Sequence, residues 1–325
     1  MTRYVIRRLV GLAVVLVLVL TLVFVMLQKA PGGPENAYLG VNPTPERRAA
    51  VMAQLGLDQS LWVQYLRFVG SMFTFDFGNS LTTSRPVGEM LWQRLPVTLE
   101  LGLVAFVVWT TVGLLLGAVA ASRQGTAFDA TVRVGSVIGL SVPSFWLGLV
   151  LVLTFGLYLP GILPSSGWVA FGEDSLGNLR SLVLPAFTLG IGSAAVIART
   201  LRSSMISELG ADHVTFGRAM GLSEGTLARH LALRNAIIPT LTVVGMMLGT
   251  FIGGAVLIEN VFNVPGIGQL IVNSFLSNDY PVAIAGTFWT ASIFLVTTLV
   301  VDLLYFAINP RIRAQFQNAN AGGAR

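Results

Sequence analysis

The stretch LVGLAVVLVLVLTLVFVML at residues 9–27 decides the class of fold, because it contains no charged side chain. A helix needs about 20 apolar residues to cross the hydrocarbon core of a bilayer. Arginines precede the stretch at positions 3, 7 and 8. A cleaved signal peptide has a shorter apolar core that is followed by an A-x-A site, and no such site follows here. The stretch therefore predicts a membrane anchor that is also the first transmembrane helix.

The rest of the chain has the same apolar character. Of its 325 residues, 54% are hydrophobic and 11% are charged, and the mean hydropathy is +0.75. Soluble domains carry about 25% charged residues. Further apolar runs lie near 98–121, 132–159, 182–201, 239–258 and 282–306. We therefore expect an all-α integral membrane protein with six transmembrane helices. The absence of cysteine excludes disulfides and thiolate metal sites, but it leaves the redox compartment open.

The positions of the arginines predict the orientation, since cytoplasmic loops carry an excess of positive charge. If the N-terminus is cytoplasmic, the two short outer loops contain only Arg180. The remaining basic residues from Lys29 to Arg94 then lie in the long first outer loop, where this bias is weak. The inner segments hold the arginines at positions 3, 7, 8, 123, 133, 199, 202, 218, 229, 234, 311, 313 and 325. Both termini are therefore predicted to be cytoplasmic.

The long outer loop contains one segment with apolar residues at helical spacing. In LGLDQSLWVQYLRFVGSMF (55–73), these residues include Leu61, Tyr65, Phe68 and Met72. We expect a helix over the outer mouth of the membrane domain, where it could guide or receive a binding protein. The alternative is a cap that only packs against the transmembrane helices.

A cytoplasmic loop at 202–238 ends in the polar sequence GLSEGTLARHLALRNAIIPTL (221–241). Gly221 suits the end of one helix, and Ser223 is a good N-cap for the next. Pro239 marks the entry to the fifth transmembrane helix. The pattern predicts a short amphipathic helix on the cytoplasmic side of the membrane.

The faces of this short helix allow two interpretations. Leu227 and Leu231 recur at i,i+4 and form an apolar face, while Arg229, His230 and Arg234 lie around the rest of the helix. One interpretation is an interfacial helix with its arginines on lipid phosphates. The other is a docking helix for a cytoplasmic partner protein. The residue pattern alone does not separate them.

The segment resembles the EAA loop of ABC-importer permeases, in the form found in the dipeptide/oligopeptide family. Similar phrases cover nearly the whole chain. They are RYVIRRL near the start, LGLDQSLWVQYLRFV (55–69), DFGNSL (76–81), RLPVTLELGL (94–103), GLSVPSFWLGL (139–149), LPAFTL (184–189), GGAVLIENVFNVPGIGQL (253–270) and VDLLYFAINPRIR (301–313). Together with the long first outer loop, they resemble the B-type subunit of that family rather than its C-type partner.

The resemblance implies a type I ABC-importer permease fold with four parts. Residues 1–28 form the cytoplasmic N-terminus and the first transmembrane helix, and 29–96 form the extracytoplasmic loop region. Residues 97–306 form the type I transmembrane domain with five helices, which includes the cytoplasmic coupling loop 202–238. Residues 307–325 form a cytoplasmic tail.

The resemblance also implies partners. They are a second permease subunit of the C type, two ATPase domains, an extracytoplasmic substrate-binding protein and the lipid bilayer, with no nucleic acid. The chain has no G-x-x-x-x-G-K-[ST] phosphate loop. We therefore expect that the chain binds no cofactor, that it is not an enzyme, and that partner chains use the ATP and Mg. The expected location is the cytoplasmic membrane.

The residues implied in ATPase coupling are Gly221, Leu222, Ser223, Glu224, Leu227, His230, Leu231 and Arg234. The sequence departs from the family pattern R-T-A-R-A-K-G just before them. Phe216 stands where the family has a small residue, and Met220 stands where it has lysine. These departures affect individual ATPase contacts and leave the implied docking role unchanged.

Two further groups of residues have open interpretations. Gly245, Gly249 and Gly253 repeat every four residues, a spacing that lets helices approach closely in lipid, either within the chain or against the second permease. Glu259 precedes the VPGIG turn that contains Pro265. These two residues could form an outer gate or hold a substrate amine, and the alternative for Glu259 is a solvated or paired structural carboxylate.

Two other classes of protein fit the sequence poorly. A membrane enzyme with a serine nucleophile would need a nearby base, and both histidines fall in the loop 202–238. An ion-coupled secondary transporter would be expected to show internal repeats and ionisable residues at mid-membrane depth, and the chain shows neither. Within the importer family, the cargo could be a peptide, a nickel chelate, haem or glutathione.

Overall fold

The computed structural model describes residues 2–29, 35–39 and 44–308. These residues form helices and connecting turns, with one isolated antiparallel bridge between Asn79 and Pro86. The helices are α1 (Thr2–Gln28), α2 (Asn36–Leu39), α3 (Pro45–Leu55), α4 (Leu61–Phe73), α5 (Val87–Ser122), α6 (Ala127–Ser141), α7 (Ser144–Leu153), α8 (Ser175–Leu209), α9 (Asp212–Ala219), α10 (Glu224–Thr226), α11 (Leu233–Val261), α12 (Ile267–Leu276) and α13 (Tyr280–Ile308). Two π-helical segments, Thr154–Tyr158 and Leu227–Ala232, follow α7 and α10. The tail arginines Arg311, Arg313 and Arg325 lie outside the described residues.

The transmembrane helices are where the apolar runs predict them, with one exception. Among the described residues, five helices are long and apolar enough to cross a membrane. The third predicted crossing, at 132–159, is instead a pair of helices bent by 96°. The all-α membrane fold is confirmed, and the predicted number of six crossings is reached when this bent pair is counted as one crossing.

The bend in the third crossing has a local cause at Pro143. A proline disfavours the helical conformation of the residue before it and has no N–H to donate. Val142 is accordingly extended, with φ −83° and ψ 121°, and Pro143 becomes the N-cap of α7. By contrast, Pro96, Pro185 and Pro239 remain inside long helices.

The chain divides into two compact units. The first unit contains residues 1–99 and 265–296. Its apolar core is formed by Leu20, Met72, Phe77, Val87, Leu91, Ile267, Ile271, Val282, Ala285 and Phe288. The predicted outer-loop helix is confirmed as α4, which packs Met72 into this core. The Tyr65 hydroxyl also lies 2.8 Å from the hydroxyl of Thr21 on α1.

A buried carboxylate orders the loop that leads into α5 in this first unit. Asp279 accepts hydrogen bonds from the Ser80 hydroxyl (2.5 Å), the Leu81 amide (3.1 Å) and the Thr82 hydroxyl (2.9 Å). Burial by itself would raise the pKa of the Asp279 carboxyl, but these hydrogen bonds favour the charged form and hold its pKa below the usual range. The ionised Asp279 carboxylate therefore holds the loop in place through these hydrogen bonds.

The second unit contains the described residues of the ranges 100–264 and 297–308. Its central helix is α8, which is the most buried of the long helices. The α5 glycines Gly113 and Gly117 let the two backbones approach, since a Cβ added there would lie 2.9 Å and 2.7 Å from α8 carbonyl oxygens. On α6, the buried Asp129 binds Arg202 of α8, whose Nη2 lies 2.8 Å from Oδ2.

Candidate functional site

The loop 202–238 folds into two helical segments that are joined by a turn and follow the end of α8. The helix α8 ends at Leu209, and the separate helix α9 spans Asp212–Ala219. Gly221 then takes the left-handed conformation with φ +83°, as expected for a helix end. Ser223 is the N-cap of α10, and its hydroxyl accepts from the Thr226 amide. The predicted roles of Gly221 and Ser223 as helix stop and helix start are confirmed.

The helix that starts at Glu224 does not end at Pro239, contrary to the sequence prediction. It passes through the π-helical turn Leu227–Ala232 into α11 without a break. A proline inside a membrane helix is tolerated because neighbouring groups and local π-helical adjustment can satisfy the freed backbone carbonyl. The short separate helix of the loop is therefore α9, which lies before Gly221.

The helix α9 is held against the start of this long helix by a close contact at Gly217. A Cβ added to Gly217 would lie 2.9 Å from Leu227 Cδ2 and 3.2 Å from Leu231 Cδ1. Leu227 and Val214 are fully buried within this loop. The apolar face predicted at Leu227 is therefore covered by the chain's own loop and is not open to a partner at this position.

A bidentate ion pair closes the turn between the two helices. Arg218 donates from Nε to Glu224 Oε1 at 2.6 Å and from Nη2 to Oε2 at 3.1 Å. The carboxylate raises the pKa of the Arg218 guanidinium, which is charged at neutral pH in any case. Both side chains are solvent-exposed, so the pair sets the shape of the turn more than it adds stability.

The exposed surface of this loop is apolar at three positions. Phe216 on α9, Met220 at its C-cap and Leu222 in the turn are 67%, 70% and 45% exposed. We call these three residues the α9 patch. Sequence reasoning treated Phe216 and Met220 only as departures from the family pattern. Large apolar side chains in a loop expected to be polar were the signal that could have identified the patch.

Two charged residues predicted for coupling, His230 and Arg234, lie within the π-helical turn and just after it, and Arg229 precedes them. Arg229, His230 and Arg234 are exposed. Close by in the same loop, the Asn235 amide donates to Glu208 Oε2 at 3.2 Å. The structure thus places Leu222, His230 and Arg234 on the surface of one loop, while Leu231 is half-buried against Gly217.

The other candidate residues have structural surroundings. Glu259 is completely buried and takes part in a polar interaction, which favours the structural interpretation over that of an open gate. Pro265 is half-buried in the turn that leads to α12. Gly245 meets α13 within the chain, since a Cβ there would lie 2.5 Å from Val301 Cγ1. Gly249 is buried, whereas Gly253 has open space at its Cβ position.

Comparisons with known proteins give one consistent result. The family described as binding-protein-dependent transport system inner membrane component matches residues 113–314. The family of the N-terminal part of such membrane components matches residues 1–102. A solved chain of an amino acid ABC transporter is 16% identical with a TM-score of 0.47, covering 69% of this chain and 94% of that one. That likeness is too distant to carry an argument.

Curated relatives match over almost their full length. The dipeptide transport system permease protein of Lactococcus lactis is 39% identical and covers 96% of this chain and 100% of the relative. The di/tripeptide permease protein of Pseudomonas aeruginosa is 38% identical, with 90% and 94% covered. The dipeptide permease protein of Escherichia coli K12 is 35% identical, with 96% and 99% covered. The chain therefore belongs to the family of inner membrane components of binding-protein-dependent transport systems.

Proposed function

We propose that this chain is one permease half of an ATP-driven importer that moves short peptides inward across the cytoplasmic membrane by alternating access. The observation that carries the proposal is the similarity to dipeptide and di/tripeptide permease proteins over at least 90% of the chain. The lack of a phosphate loop supports ATP hydrolysis by separate chains, which would also hold the Mg. Nickel chelates, haem and glutathione are the alternative cargoes.

The coupling to the ATPase subunits runs through the loop 202–238 in this proposal. Its contact surface is the α9 patch, with Arg229, His230 and Arg234 beside it. Apolar side chains that are two-thirds exposed give a partner something to bury, and a neighbouring rim of charged groups gives orientation. The contact between Gly217 and Leu227 then transmits a displacement of α9 to the helix that starts at Glu224. A nucleotide can shift the permease only through such differential contacts.

The remaining partners follow from the same proposal. A C-type permease completes the transmembrane pathway, and an extracytoplasmic binding protein delivers the peptide. Both termini face the cytoplasm, as the distribution of arginines indicates. The open space at Gly253 leaves room for a close helix contact with the second permease.

Uptake of a labelled dipeptide into proteoliposomes that contain the complete complex tests this function. We expect uptake only when ATP is on the side of the membrane that carries the ATPase subunits and the binding protein is on the opposite side. Dissipating ion gradients with ionophores should leave the rate unchanged. Uptake that is driven by an ion gradient without ATP would refute the proposal in favour of a secondary transporter.

A further inference from the structure

A cavity of about 620 Å³ lies within the first unit, where all of its lining residues belong. Its apolar wall includes Phe24 at the end of α1, Phe68 and Met72 on α4, and Ile284 on α13. A concave apolar site of this size with a few polar groups is typical of small-ligand binding. The lining of this cavity includes one positively and one negatively charged side chain.

The positive group is Arg67, which lies on the face of α4 that also carries Gln64, Phe68 and Ser71 into the cavity. These positions share one side of the helix because they are three or four residues apart. The Arg67 side chain passes over Gly56, where an added Cβ would lie 2.8 Å from Nη1. Packing against this glycine places the guanidinium. Within the described part of the chain, it has no hydrogen bond or ion pair.

The negative group is Asp76, which lines the same cavity just after α4 ends. Its amide donates to the Ser71 carbonyl at 3.0 Å, which turns the chain back towards the helix. Its carboxylate also has no partner among the described residues.

We infer that this cavity binds a short zwitterionic peptide. The peptide carboxylate is bound by Arg67, the terminal ammonium group by Asp76, and an apolar side chain by the wall of Phe24, Phe68 and Met72. An extended peptide of two or three residues presents its two end charges about 7–11 Å apart. Arg67 and Asp76 are both exposed to solvent at the cavity, so a zwitterion can pair with both of them, whereas an anion or a cation can pair with only one. The choice of peptide as the ligand rests on the proposed function.

Binding of the labelled tripeptide Ala-Phe-Ala to the purified permease pair, without binding protein, tests the inference. A charge-assisted hydrogen bond contributes enough that Arg67→Gln and Asp76→Asn should each weaken binding roughly 10- to 100-fold. Amidating the peptide C-terminus should weaken binding to the wild type and have little further effect on Arg67→Gln. Acetylating the peptide N-terminus should likewise weaken binding to the wild type and have little further effect on Asp76→Asn. Arg47→Gln, which changes an exposed arginine on α3 outside the cavity lining, is the matched control.

Two results would overturn the inference. One is an unchanged affinity of the wild type for amidated and acetylated peptides, and the other is equal weakening by Arg47→Gln and Arg67→Gln. Copurification of the second permease with each variant establishes that the variant is folded. ATP-driven uptake by the complete complex is measured in parallel. If uptake persists while end-group recognition is absent, the cavity assignment fails and the proposed function stands.

Discussion

Replacing Phe216 by alanine is expected to weaken attachment of the ATPase subunits while leaving the permease folded. Phe216 is 67% exposed, so its removal takes away little internal packing. Complete burial of a phenylalanine contributes about 1.5–3 kcal/mol, and two-thirds of that is about 1–2 kcal/mol. At 1.4 kcal/mol per factor of ten, the dissociation constant should rise roughly 5- to 30-fold.

The assay is titration of nanodisc-embedded permease pair with purified ATPase subunits, using a fluorescent label on the ATPase. Phe171→Ala is the matched control, because Phe171 is also largely exposed (57%) but belongs to a segment predicted to lie on the other side of the membrane. Leu227→Ala should act differently. Truncating a buried leucine costs about 2–5 kcal/mol, so it should loosen α9 and increase its amide hydrogen exchange. Equal affinity of Phe216→Ala and wild type, with intact subunits, would refute the assignment of the α9 patch.

Four further results are expected. Gly221→Ala should lower stability by about 1–2 kcal/mol in thermal unfolding, because φ is +83° there while the surrounding space is open; an unchanged melting temperature would contradict this. Glu224→Gln should change stability by less than about 1 kcal/mol, since its ion pair is exposed; a larger loss would mean that the turn depends on that pair. Asp279 has a lowered pKa in the folded state, so its contribution should be fully present above its usual pKa and be lost as the pH falls through the lowered value. The hydrogen-exchange protection factor of the loop that it binds, which corrects for the intrinsic pH dependence of exchange, should therefore be constant from pH 8 to pH 5 and fall only in stronger acid. A fall already at pH 6 would contradict the predicted direction of the pKa shift. A cysteine at Ser166 should be labelled from outside the cell and one at Thr215 only after permeabilisation, and the reverse pattern would invert the topology.

The positions of the membrane helices could be predicted from the sequence because long uncharged runs have few alternatives to crossing a bilayer. Helix α4 and the Ser223 cap were also predictable, since each depends on local spacing or a local hydrogen bond. A proline inside an apolar run predicts a plain kink at Pro143, but not the bend of 96° that the structure shows. A proline inside an apolar run can break a helix or be tolerated, as at Pro239, and the outcome depends on neighbouring groups.

The candidate site was predictable only as a segment. An i,i+4 pair such as Leu227 and Leu231 shows that a helix has an apolar face, but not what covers it. Here α9 covers this apolar face through the close contact at Gly217, and that contact depends on how α9 folds back. Likewise, nothing in the spacing of Arg67 and Asp76 predicts that they line one cavity, because the second follows a turn whose geometry the pattern does not specify.

Site-directed crosslinking of Met220→Cys to the ATPase subunits tests most directly the claim that ATP hydrolysis in other chains drives this permease through α9. The natural chain has no cysteine, so a single thiol can be placed without a background. We predict a specific product between Met220→Cys and an ATPase subunit, with a yield that changes between the nucleotide-free and the ATP-trapped complex, and no product with Phe171→Cys. A complex that is active in ATP-driven uptake but gives no crosslink from Met220→Cys in either nucleotide state would contradict the claim.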